Sequence, residues 1–164
     1  MNEPISVGLG EKAVSRNPDD ILVAYGLGSC LGITMVDPLM KVSGLVHAVL
    51  PRSTDGASYL ESNPYKYVES GIESLITDML SVGANRTRLI IRLAGGANML
   101  ISASLSQTFN IGTRNIESAR TTLNRLKMPI TASEVGGQTG RTIRIYVATS
   151  RVTVRVIGEK EHDL

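Results

Sequence analysis

Short apolar runs, rich in Val and Ile and closed off by Gly, Pro, Asn or Asp, recur along most of the chain. No other feature constrains the fold as much. β-Branched side chains suit a pleated, half-buried surface and the bounding residues suit turns, so these runs read as strands. They are Ile5–Leu9, Ile21–Tyr25, Leu31–Val36, Val42–Leu50, Leu89–Ala94, Ile130–Val135, Thr142–Ala148 and Val152–Ile157. In the last two, Ile143, Ile145 and Val147 alternate with Thr142, Arg144 and Tyr146, and Val152, Val154 and Val156 follow the same period. Only Thr149-Ser150-Arg151 separates them, which predicts a hairpin with one wet face.

Two segments carry a helical period instead. Val68, Ile72, Leu75, Ile76, Met79 and Leu80 make one apolar stripe, with Asn63-Pro64 as a start signal and Gly83 as a stop. Ile116, Ala119, Leu123 and Leu126 make a second stripe that Pro129 ends. No repeat or linker divides the 164 residues, so strands and helices together predict a single α/β domain over residues 1–164. Its core runs from about residue 5 to 157, the stretch Pro51–Asn63 is a polar surface loop, and the polar tail 158–164 is frayed.

Composition removes several classes of function. Seventeen basic and fifteen acidic residues leave a net charge of +2 without a dense basic run, which argues against a nucleic-acid partner. Aromatic residues are 4% of the chain and Trp is absent, so base-stacking platforms are not expected. One Cys excludes an internal disulfide, and with two His it cannot complete a Cys/His zinc site. No apolar run approaches the roughly 20 residues that cross a bilayer, and the first residues lack the basic and apolar regions of a signal peptide. A cytoplasmic protein without membrane insertion is expected, with its thiol reduced. The sequence has no P-loop, and no GxGxxG links a strand to a helix. No cofactor and no metal is expected.

Chemistry concentrates at Gly26-Leu27-Gly28-Ser29-Cys30, a glycine-rich turn between two strands. A lone Cys is either a small buried hydrophobe or a nucleophile. Two glycines before it allow a tight turn whose N–H groups are free to face a ligand, as an oxyanion hole requires, and Gly28 and Ser29 are the candidates for that support. The base would come from the neighbouring strand. If the hairpin closes symmetrically around Leu39, in the turn Asp37-Pro38-Leu39-Met40-Lys41, Cys30 falls opposite Ala48, one position from His47. A bulge or a shift of one would set Cys30 and His47 side by side. A lone His on an apolar strand is otherwise a core residue bonded to a carbonyl. Together, Cys and His are the minimal machine for attack on an amide carbonyl. His162, in the tail, has no assigned role. The glycine clusters at 94–98 and 135–141 read as places where backbones pass closely or take positive φ.

With Val46-His47-Ala48-Val49-Leu50-Pro51 downstream of Cys30, the chain resembles the CheD family of chemoreceptor glutamine deamidases. The likeness continues through Ala94-Gly95-Gly96-Ala97-Asn98-Met99, Asn110-Ile111-Gly112-Thr113-Arg114-Asn115 and Gly136-Gly137 with Gly140-Arg141, in the family's order. The resemblance implies a sandwich of mixed β-sheets with helices packed outside, similar to the catalytic domains of deamidating toxins. It implies hydrolysis of glutamine side-chain amides on methyl-accepting chemotaxis receptors, with Cys30 as nucleophile and His47 as its proton partner. Where the family commonly has a third catalytic residue, a Thr, this chain has Ala24. Tyr25 or Ser29 would replace it, or a backbone carbonyl would orient His47. The family also binds CheC-type phosphatases, so a non-catalytic or weakly catalytic binding regulator of such a phosphatase is the alternative. Arg114, Asn115 and Arg141 are similar to family positions but are not expected to be catalytic.

Overall fold

The computed structural model describes residues 3–53, 63–98 and 110–164. Within them ten strands form two five-stranded sheets. The first sheet has the order β1 (Ile5–Ser6), β3 (Ile21–Leu27), β8 (Arg141–Tyr146), β9 (Arg151–Val156) and β10 (His162–Asp163). The second has the order β2 (Lys12–Ser15), β5 (Val42–Ala48), β4 (Leu31–Asp37), β6 (Ile90–Gly95) and β7 (Ile130–Val135). Both are mixed: β1–β3 and β6–β7 pair in parallel, the other pairs antiparallel.

Strand alternation assigns the layers. In β4, Leu31, Ile33 and Met35 face one core, which helices α1 (Val68–Ser81) and α2 (Ile111–Arg125) cover with Ile72, Leu75, Met79, Ile116 and Leu123. Leu22, Ala24, Leu27, Ile143, Ile145 and Val154 of the first sheet meet Val36, Leu45 and Ala94 of the second in another core. The molecule is therefore sheet on sheet, with both helices on the outer face of the second sheet. That is the predicted mixed-sheet sandwich with helices outside.

Differences from the sequence reading have local causes. The strands β2 and β10 were not predicted; each is a short edge strand with little apolar content of its own, formed by pairing with β5 and β9. The tail is consequently not frayed: Arg151 pairs with Asp163, and Tyr146 Oη donates to Glu161 at 2.6 Å. The α1 stripe is as predicted except for Leu80, which is exposed. Helix α2 begins before its apolar stripe and ends where Lys127 turns left-handed (φ 57°). The β4–β5 hairpin closes with Asp37 opposite Val42 around four residues rather than symmetrically about Leu39, Lys41 taking φ 55°. Most of the predicted Pro51–Asn63 loop, and Met99, lie outside the described residues.

Candidate active site

The register of that hairpin decides how Cys30 and His47 meet. Leu31 pairs with Ala48 and Gly32 with His47, so the shift of one runs opposite to the one that would set Cys30 beside His47. Cys30 instead precedes the strand by one residue. Because Gly32 lies across from His47, alternation still carries Cys30, two residues earlier, to the same side of the sheet. Two contacts agree: Cys30 packs against the inter-sheet core, and the His47 ring is bonded to Val7, a member of that core.

His47 is 4% exposed, and its Nδ1 lies 2.9 Å from the Val7 carbonyl oxygen. A carbonyl only accepts, so Nδ1 carries the proton and Nε2 of the neutral ring keeps its lone pair. Nε2 is buried and has no hydrogen-bond partner among the described residues. Burial pushes the ring below its ordinary value of 6.5, against the smaller opposing effects of the Val7 bond and the Glu11 carboxylate. The strand around it is clamped as well: Gly10 N–H donates to the His47 carbonyl at 2.9 Å, and His47 N–H to the Glu11 carbonyl at 3.0 Å. Burial thus favours the neutral ring, and the Val7 carbonyl orients it.

Among the described residues no side chain hydrogen-bonds the His47 ring in place of the missing Thr. Ala24 is fully buried in the inter-sheet core. Tyr25 points the other way, half-exposed on the outer face with the Arg144 guanidinium 5.6 Å from its ring centroid. It does not reach His47, because successive residues of a strand face opposite sides. Ser29 contributes its backbone to the site, as described next.

Cys30 is partly buried, and desolvation pushes its thiol above the ordinary 9.0, with its own backbone N–H pulling the other way. Three successive carbonyls of its loop are anchored. Gly28 accepts from Ala97 N–H at 2.8 Å, Ser29 from Asn115 Nδ2 at 2.8 Å and Cys30 from Gly96 N–H at 2.9 Å. A trans peptide aims its N–H opposite to its C=O, so the N–H groups of Ser29 and Cys30 are turned away from these anchors. The anchoring strand end must come very close. A Cβ on Gly95 would lie 2.3 Å from the Cys30 oxygen, and Gly95 takes φ 109°. Arg141 holds the same corner, donating from one guanidinium nitrogen to the carbonyls of Gly95 (3.2 Å) and Gly136 (2.8 Å).

The glycine clusters left without chemistry in the sequence therefore converge on the Cys30 loop. Sequence reasoning missed Val7, whose contribution is a backbone oxygen that every residue type carries, and it passed over Asn115 and Arg141 as family-like polar residues. Three surface clefts, lined by residues such as Arg120 and Pro129, Pro18 and Tyr146, and Arg52 and Arg114, include neither Cys30 nor His47.

Comparison with known proteins agrees with the motif order. The family model described as CheD chemotactic sensory transduction matches residues 49–156, well over half of the chain. A Symbiobacterium thermophilum protein named "Probable chemoreceptor glutamine deamidase CheD" is 42% identical over 159 residues, covering 97% of this chain and 96% of that one. The chain belongs to the CheD family. Another CheD, from Caldanaerobacter subterraneus and carrying the same name, is 45% identical over 154 residues, with 94% and 93% of the two chains covered. A Halalkalibacterium halodurans protein named "Chemoreceptor glutamine deamidase CheD" is 39% identical over 163 residues, with 98% and 99% covered. Unlike the family model, these full-length alignments extend over the part of the CheD chain that holds Cys30 and His47. Among solved structures, a Neisseria meningitidis protein of the DUF152 family is similar at a TM-score of 0.43 and 11% identity, over 82% of this chain and 63% of that one. Among the described residues, no helix is long and apolar enough to cross a membrane.

Proposed function

We propose that this CheD-family chain hydrolyses glutamine side-chain amides on chemoreceptors, with Cys30 as nucleophile and His47 as general base and acid. One observation carries the reading. Burial favours the neutral His47 ring, and its Nδ1–H bond to Val7 fixes the tautomer, which leaves Nε2 as a buried, unpaired acceptor on the side of the sheet that Cys30 faces. The names of the relatives supply the substrate class.

Neither group is charged at rest, since burial raises the thiol and lowers the imidazole. The thiolate therefore forms during attack. His47 Nε2 takes the Sγ proton as sulfur bonds to the amide carbon of the glutamine, and the carbonyl oxygen becomes the oxyanion. The N–H groups of Ser29 and Cys30 receive that oxyanion, with Gly28 giving the turn its shape. Collapse breaks the C–N bond, the imidazolium proton goes to the departing nitrogen, and ammonia leaves behind a thioester. Water then attacks the thioester and gives its proton to Nε2; the thiolate leaves and is reprotonated, and the product is glutamate. The Sγ–Nε2 bond is not made in the structure, and such bonds commonly tighten only with substrate. The reading includes a cytoplasmic site of action, the fold likeness to deamidating toxins and docking of a CheC-type phosphatase over the same loop.

The test is mass spectrometry of a receptor cytoplasmic fragment incubated with the parent protein and with Cys30→Ala. A gain of about one mass unit at defined glutamines with the parent alone is expected, because attack by the Cys30 sulfur opens the reaction. Equal ammonia release by Cys30→Ala would reject the enzyme and leave the phosphatase regulator as the reading.

A further inference from the structure

We propose that Asn115 is a positioning residue that sets the distance and angle between the Cys30 loop and the His47 strand. The inference rests on the Cys30–His47 reading above. Asn115 lies in the second turn of α2 and is fully buried, although nothing apolar about it favours burial. Its Nδ2 donates to the Ser29 carbonyl at 2.8 Å and to the Val49 carbonyl at 3.0 Å. Ser29 adjoins the nucleophile; Val49 lies two residues after the base. A carboxamide nitrogen has two hydrogens, and each is directed to one side of the candidate catalytic pair.

Among the described residues no other hydrogen bond joins the two at this end. Beyond Leu31 and Ala48 the β4–β5 ladder stops, so Cys30 is not fixed to β5 by strand pairing. The remaining anchors of the loop, Gly96 and Ala97, are themselves seated on the same helix: a Cβ on Gly112 would come within 2.5 Å of both of their carbonyl oxygens. Ser118, one turn further, donates to the Pro51 carbonyl at 2.8 Å and holds the exit of the His47 strand. One face of α2 thus locates both halves of the site, and Asn115 is the residue that touches both. Its bond to Ser29 also aims the peptide plane whose N–H is that of Cys30, the proposed oxyanion donor.

Asn115→Asp tests this, because it keeps the shape and removes both donors, turning an oxygen toward each carbonyl. The readouts are deamidation kinetics and alkylation of Cys30 by iodoacetamide at pH 7, in the parent, His47→Ala and Asn115→Asp proteins. The expected result is a kcat about 100-fold lower in Asn115→Asp with KM within about twofold, the signature of lost alignment rather than lost binding. Alkylation is expected to slow about tenfold or more in both variants, since each withdraws the base from the thiol. If parent and His47→Ala alkylate alike, the Cys–His reading fails. If His47→Ala is slowed but Asn115→Asp keeps the parent's rates, the Asn115 inference fails alone. Should Asn115→Asp not fold, the side-chain amide protons of Asn115 in the parent decide by NMR: slow solvent exchange is expected of two bonded hydrogens, and fast exchange overturns the brace.

Discussion

His47 Nδ1 sits 2.9 Å from the carbonyl oxygen of Val7, a residue forty positions away, just past the end of β1. In the proposed mechanism this contact takes the place of a third side chain. It selects the tautomer, because a carbonyl demands the proton on Nδ1, and it leaves the Nε2 lone pair free for the proposed base. A wrong tautomer would cost orders of magnitude in rate.

The pH profile of kcat/KM follows from that burial. Only the neutral ring acts as base, and burial holds it below 6.5, so the acidic limb of the profile is expected to fall below pH 6.5. Activity measured against a receptor fragment across pH 4.5–8 checks it, as an order-of-magnitude span about the ordinary His value. A limb centred above 6.5 would mean that the ring is solvated or paired with an acid.

Ala24→Thr reinstates the residue common in the family, but its side chain would enter a fully buried apolar site. Because Val7 already orients His47, kcat is expected to change by less than about threefold. Stability is expected to fall by about 1–3 kcal/mol through overpacking and a buried hydroxyl. Chemical denaturation and deamidation rates on the same preparation separate the two effects; a rise in kcat of tenfold or more would show that the carbonyl is an inferior orienter.

Much of this arrangement was legible in the sequence, and the illegible remainder has a common cause. Strands such as β4 and β8 announce themselves because their own side chains fill the cores. β2 and β10 are dictated by their neighbours' free edges, which local sequence does not encode. Cys30 and His47 stood out because their residue types are rare here, and they share a face because the register slipped by one: symmetric closure about Leu39 pairs Cys30 with Ala48 and turns His47 to the other side. The slip came from a four-residue turn, Pro38–Lys41, in which the Asp37 carboxylate accepts from Leu39 N–H at 3.1 Å and Met40 N–H at 3.2 Å. Val7 and the anchors Gly96 and Ala97 act through the backbone, which leaves no trace in side-chain identity.

That same Asp37 is expected to govern acid stability. It is fully buried, and burial alone would push its carboxyl up. The Arg88 fork (3.1 and 3.0 Å) and the N–H groups of Asn85 and Met40 outweigh burial and hold it at about 2. Its depressed value means that the unfolded chain binds the proton more readily, so its contribution is full above about pH 4 and is lost as pH falls toward 2. Arg88→Ala leaves the carboxylate buried without its cation and is expected to cost about 3 kcal/mol, read by urea denaturation at pH 7. A loss under about 0.5 kcal/mol would mean that the backbone donors suffice.

His162 gives the opposite pH dependence at the other end of the sandwich. Its Nε2 lies 2.6 Å from Glu134 Oε1, so β10 of one sheet is tied to β7 of the other. The bond to Glu134 is the largest effect on the ring and raises it above 6.5. A raised histidine contributes fully below its unfolded value of about 6.5 and loses that contribution as pH rises through the folded value. The tether is exposed, with His162 44% accessible, so global stability is expected to change little. The local effect is measurable: Leu164 N–H, bonded to the Val152 carbonyl at 3.0 Å, is expected to lose hydrogen-exchange protection as pH climbs from about 6 to 8. In His162→Gln the protection is expected to be lower at pH 6 and nearly independent of pH, since the amide has no charge to lose. Identical protection in parent and variant across that range would show that β10 is held by its pairing with β9 alone.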